Sequence, residues 1–160
     1  MPLLNRKPLA VLLFAVLLVL IVLSRAPYFG QLELDTHEVW TMWQSVGTLP
    51  QVINHTPYDW GPLYYAVMLG WQSVVGTHTE TARILSVLWL VLGSAFMYRA
   101  MARLRPGIAP LLATLLYATS AGIIYLSLNI RGYALQLALM PLGFWLLLRY
   151  FDAKHLSWRD

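Results

Sequence analysis

Between Leu34 and Tyr65 the chain reads LDTHEVWTMWQSVGTLPQVINHTPYDWGPLYY. Asp35 and Glu38 place two carboxylates three positions apart, on one side of any helix that begins there. Such a carboxylate can take the proton of an attacking hydroxyl as a general base. The same spacing is also a helix-capping box, in which Asp35 caps and Glu38 reaches back. Further on, His55 and Asp59 flank Thr56-Pro57-Tyr58, and Trp60-Gly61-Pro62 follows. The two prolines and the glycine hold this path tight, keeping His55 and Asp59 near the helix that follows. In the plainer reading, Asp59 caps a helix with Pro62 in its first turn. Asn54-His55-Thr56 has the form of a glycosylation sequon, although Pro57 after it works against its use. His37, His55 and the nearby carboxylates are compatible with a divalent metal, but the spacing matches no metal motif and no ligand is assigned.

Two arginines add an anion-binding element. Arg83 and Arg131 each open an apolar segment, where the helix dipole is already positive. A cation there needs an anion nearby, either a loop carboxylate or the phosphate of a ligand. Snorkelling towards a lipid headgroup or Glu80 is the simpler alternative. Gly132 and Tyr133 follow Arg131 with a small residue and a hydroxyl, which suits close approach of a ligand.

The elements that must position these residues are set by composition. Of 160 residues, 59% are hydrophobic and only 11% charged, and the mean hydropathy is +0.61. The basic residues are scattered singly, a pattern of membrane orientation rather than of a nucleic-acid partner. There is no cysteine, which excludes disulfides and thiolate chemistry. The chain is therefore expected to be an all-α, polytopic membrane protein and a single module over 1–160. Apolar segments cover about 8–24, 84–102, 108–128 and 133–151, and the first is expected to be an uncleaved signal anchor. A fifth segment, 61–76, is short and interrupted by Gln72 and Ser73.

Charge decides whether that fifth segment spans. If it does, Arg99, Arg103, Arg105, Arg149, Lys154 and Arg159 fall on the side opposite Arg6 and Lys7. If it lies on the surface, all eight share one side, as the positive-inside rule demands. Four transmembrane helices with a cytoplasmic N-terminus follow. A long outer loop, about 25–83, is left to hold two short amphipathic helices beside the membrane. The first starts near Asp35 and is expected to bury Val39, Trp40, Trp43 and Val46, with Pro50 breaking it from the second. The second runs from Pro62 to Val75, with a stripe of Tyr64, Val67, Met68, Trp71, Val74 and Val75.

His37-Glu38, Trp60-Gly61-Pro62-Leu63-Tyr64-Tyr65, Gly76, Arg83 and Arg131-Gly132-Tyr133-Ala134-Leu135 stand in this order. In that order they resemble the membrane glycosyltransferases of the GT-C type. The similarity is to the N-terminal part of the dolichyl- or polyprenyl-phosphate-mannose protein mannosyltransferases and the aminoarabinose lipid A transferases. Those families carry an Asp-Glu pair where this chain has His37-Glu38, so the base implied here is either Asp35 or Glu38. They also carry His-Pro or Lys-Pro where this chain has Trp60-Gly61, and they run to several hundred residues. The resemblance implies transfer of a sugar from a polyprenyl-phosphate donor to an acceptor hydroxyl on a protein, lipid or glycan, at the outer membrane face. It implies no nucleotide cofactor. Arg131 and Arg83 would hold the leaving phosphate, and Tyr133, Asp59 and His55 would position sugar and phosphate. The reading from another class is a non-catalytic small membrane protein that binds lipid-linked sugars or a partner membrane enzyme.

Overall fold

The computed structural model describes residues 7–57 and 61–157. Among these residues every regular element is helical. Helix α1, Lys7–Leu23, is an unbroken apolar run with Pro8 in its first turn, where a missing N–H costs nothing. The chain then makes a 3₁₀ turn at Ala26–Tyr28 and forms α2 (Thr36–Gln44), α3 (Leu49–His55) and α4 (Leu63–Val75). Three longer stretches follow: α5 (Thr79–Leu104), the pair α6 (Ala109–Thr119) and α7 (Ala121–Leu128), and α8 (Tyr133–Ser157). Among the described residues three helices are long and apolar enough to cross a membrane, and a fourth crossing results if α6 and α7 count as one. At 13 residues, α4 rises only about 20 Å, short of a hydrocarbon core of roughly 30 Å. Several apolar helices of spanning length mark an integral membrane protein.

Helix α5 is the central strut and packs on α1, α4, α6, α7 and α8. It runs parallel to α8. Ser86 near its start donates to the Asn129 carbonyl at 2.6 Å, whereas Arg103 near its end pairs with Asp152. The two helices pack tightly at Gly93, where a Cβ would sit 1.8 Å from the Leu137 carbonyl oxygen. That carbonyl is special because Pro141 lies four residues later in α8 and has no N–H to give it. The Tyr117 hydroxyl of α6 donates to it instead, at 2.6 Å. One proline, one glycine and one tyrosine thus form a single packing device.

The segment 108–128, expected as one span, is two helices bent by 62°. Ser120 between them is extended, with φ −65° and ψ 140°. A helix end leaves carbonyls unpaired, and the buried Arg25 guanidinium, from the end of α1, donates to that of Ala118. The break is therefore built into the fold.

The loop differs from expectation in two ways. Among the described residues it holds three α-helices rather than two, because Pro50 starts α3 instead of ending α2. Thr48 donates its backbone N–H and its hydroxyl to Gln51 Oε1, at 2.8 and 3.0 Å. Gly47 supplies the turn before it at φ 106°, a conformation that favours glycine. The second difference is that α2 faces the other way. Glu38, Thr41, Gln44 and Ser45 are buried, while Val39, Trp40, Trp43 and Val46 are each at least half exposed. Apolar side chains gain nothing by leaving lipid for protein, so in a membrane setting the polar side of α2 is the one that must find partners. On α4, Tyr64 and Met68 of the stripe are buried, with Tyr65 and Gln72 beside them, whereas Val74 points outward.

The α5–α8 crossing yields a quantitative test. Gly93→Ala should destabilise the chain by about 1–3 kcal/mol through overpacking. Tyr117→Phe should cost about 1–3 kcal/mol by orphaning the Leu137 carbonyl. Thermal unfolding in detergent checks both, and the double variant should cost less than the two singles combined because they share one carbonyl.

Candidate functional site

Two structures meet where the loop helices join the ends of α5 and α8: a buried ionic knot and an open cleft beside it. The knot begins as the capping box. Asp35, at φ −78° and ψ 164°, caps α2, with its Oδ1 accepting the Glu38 N–H at 2.8 Å. Glu38 Oε2 accepts the Asp35 N–H at 3.1 Å. Glu38 then goes beyond capping. Its Oε1 accepts the backbone N–H of Ile130 at 2.8 Å, and its Oε2 lies 3.6 Å from Arg83 Nη2. Arg83 donates further to the carbonyls of Phe29 (2.7 Å) and Glu33 (3.3 Å). The Glu38 and Arg83 side chains are 2% and 1% exposed. Both are therefore committed to holding α2, the segment before it, α5 and the α7–α8 connection together. Neither lines the cleft.

The cleft encloses about 630 Å³. Its walls are His37 and Thr41 of α2, Gly61 with Leu63, Tyr64 and Tyr65 of α4, and Arg131 to Tyr133 with Leu135, Gln136 and Leu139 of α8. The Arg131 guanidinium stands 5.0 Å from the centre of the Tyr133 ring, an arrangement that fixes the cation without neutralising it. The Tyr65 phenol is pushed above its ordinary pKa by burial, against the opposing pull of Arg131. Burial also pushes the Tyr64 phenol up strongly. A protonated phenol and a fixed cation thus share the polar part of the cleft. Leu135 and Leu139, one turn apart on α8, continue the lining along that helix with apolar surface.

The residues singled out from sequence fall into separate groups. Arg131 and Tyr133 are in the cleft, and Asp35 is half-buried at the start of α2. His55 is exposed at the end of α3 and stacks on Trp43, with ring centres 5.9 Å apart; it does not line the cleft. Asp59 lies outside the described residues. Among the described residues no three of His, Cys, Asp and Glu gather as metal ligands would. Thr41 and Gln136 are wall residues without a role in the sequence expectations, and His37, there weighed only as a metal ligand, lines the cleft with them. The four-residue spacing of His37 and Thr41 on α2 could have shown that they share a face.

Comparison with protein-family models, curated proteins and solved structures gives no match to this chain. The site must therefore be read from its own chemistry.

Two measurements test this geometry. Removing one member of a fully buried ion pair should cost about 3–5 kcal/mol. Glu38→Met and Arg83→Met should each lower the unfolding temperature sharply, and the double variant should recover part of the loss. The second concerns the tyrosines. Folding favours the neutral phenols of Tyr64 and Tyr65, so their contribution is intact below the ordinary pKa of 10. It is lost as pH rises towards the folded-state values. Tyr64→Phe should move the midpoint of alkaline unfolding upward, as followed by circular dichroism.

Proposed function

We propose that this chain is the membrane module of a polyprenyl-phosphate-dependent glycosyltransferase, its cleft facing the outer side and its N-terminus on the other. The observation that carries this reading is a fixed guanidinium and a protonated phenol at the mouth of a cleft whose lining turns apolar along α8. A lipid-linked phosphate has that same division, a doubly oxygenated anion on an apolar chain. Arg131 donates to the phosphate oxygens, Tyr133 holds the guanidinium in place, and the Tyr65 phenol beside it forms part of the polar wall. In the reaction the bond from the sugar's anomeric carbon to the phosphate oxygen breaks, and its electron pair leaves with the lipid phosphate. The acceptor hydroxyl oxygen forms the new bond and gives its proton to a base. Charge growing on the leaving phosphate is what Arg131 stabilises.

The base is Asp35 rather than Glu38, whose two oxygens are both engaged. Asp35 commits Oδ1 to the helix cap, which leaves Oδ2 for a proton. His37, two residues along on the cleft wall, is the second proton acceptor to consider.

One observation favours the binding reading instead: among the described residues no carboxylate lines the cleft. A non-catalytic protein that presents a lipid-linked sugar to a partner enzyme would need Arg131, Tyr65 and the apolar wall, and no base.

One experiment covers both. Sugar release from radiolabelled polyprenyl-phosphate-sugars is measured together with donor binding for the parent chain and for Asp35→Asn, His37→Gln and Arg131→Gln. Asparagine still caps a helix, so Asp35→Asn should keep the fold and the donor affinity. It should lose about 10²–10⁴-fold in turnover. Arg131→Gln should weaken donor binding by roughly 10–100-fold. A loss confined to His37→Gln moves the base there. Saturable, Arg131-dependent binding without turnover in the parent chain supports the binding reading. Absence of both refutes the two together.

A further inference from the structure

The opposite ends of α5 and α8 carry a second arrangement that the cleft does not use. Trp145 of α8 has two guanidiniums packed on its indole. Arg99 of α5 lies 5.2 Å from the ring centroid, and Arg149, one turn along α8, lies at the same distance. The two cations are therefore within twice that distance of each other, and both side chains are exposed. Between residues 84 and 157 the chain has a single acid, Asp152, and it is already paired with Arg103. Arg99 and Arg149 thus share a ring with no carboxylate assigned to either among the described residues.

Depth along the helix identifies the anion. Sixteen residues separate Arg83 from Arg99, a rise of about 24 Å. A hydrocarbon core is roughly 30 Å thick. With Arg83 in the knot at one end, the Arg99 backbone stops about 6 Å short of the opposite boundary, a gap that an arginine side chain spans by snorkelling to the lipid phosphates, at a depth where tryptophan is favoured. Stacking on the indole holds each guanidinium plane, so both forks are preset for phosphate oxygens. Phe96 packs against the same indole at 5.7 Å between ring centres, which steadies the platform from the α5 side.

We propose that Arg99, Trp145 and Arg149 form a binding site for the phosphodiester headgroup of an anionic glycerolipid, seated between α5 and α8. The headgroup relieves the repulsion between the two guanidiniums and ties the ends of the two helices together. The site stands on its own geometry and does not depend on the reaction assigned to the cleft.

The test is thermal unfolding of the purified chain in neutral detergent with added phosphatidylglycerol, phosphatidylcholine or inorganic phosphate at equal concentration. Phosphatidylglycerol should raise the unfolding temperature by several degrees, and the other two should not. The shift should vanish in Arg99→Gln/Arg149→Gln and survive in Arg105→Gln, which removes an exposed arginine at the same end away from the ring. If the double variant does not fold, salt replaces it. A shift seen at low salt in the parent chain should disappear near 1 M, where screening acts within about 3 Å. Equal shifts with phosphatidylcholine, a shift indifferent to salt, or one retained by the double variant would overturn the site. A shift produced equally by inorganic phosphate would replace the lipid with a free anion and overturn the lipid assignment.

Discussion

Withdrawing a carboxylate and a guanidinium from water costs several kcal/mol for each ion, and attraction between them alone does not reliably offset that. Glu38 and Arg83 manage it by accepting and donating backbone hydrogen bonds in four directions, to Asp35, Ile130, Phe29 and Glu33. The consequence reaches the cleft through chain adjacency. His37 precedes Glu38, and Arg131 follows Ile130. The single bond from the Ile130 N–H to Glu38 therefore sets the spacing between the α2 wall and the α8 wall. The Arg131 guanidinium of the cleft stands where it does because a carboxylate outside the cleft, Glu38, is held still.

The same constraint on buried polar groups explains the irregular parts of the bundle. In a medium without water every freed backbone group must find a partner within the protein. Pro141 frees the Leu137 carbonyl, and Tyr117 takes it; the break at Ser120 exposes the end of α6, and Arg25 reaches the Ala118 carbonyl. Ser86 does the same for Asn129 in the α7–α8 connection. At each of these irregular points one freed carbonyl accepts from a side chain of a neighbouring segment. The rule for a water-soluble surface is reversed on α2, where Trp40 and Trp43 face outward and Gln44 and Glu38 face in.

That reversal marks how far sequence could carry the fold. Length and apolarity locate α1, α5 and α8, since 17 or more apolar residues have few other uses. Charge also separates the short α4 from the long helices. The facing of α2 was not legible, because amphipathic patterning tells which residues are alike and leaves open which side meets lipid. The start of α3 was within reach: Thr48 and Gln51 around Pro50 form a helix-start signal that the proline, read as a breaker, obscured. The break at Ser120 was not, as apolar composition runs straight across it. At the site, the reciprocal capping of Asp35 and Glu38 was readable from a three-residue spacing. The bond from Glu38 to Ile130 spans 92 positions, and nothing in local spacing encodes it.

The position of Glu38 also bears on how variants at this site are to be read. Its loss removes the acceptor of the Asp35 N–H, the partner of Arg83 and the anchor of Ile130 at once, so turnover in the proposed reaction would fall with no chemical step assigned to Glu38. Such a loss would mimic that of a catalytic base in any assay that reads turnover alone, since effects of residues that act as a unit do not partition. Asp35 can be separated from this, because asparagine preserves its cap while removing its basicity. The distinction between the two carboxylates is therefore one of kind. Glu38 shapes the site through bonds to backbone and Arg83, and Asp35 is the carboxylate with an oxygen left over.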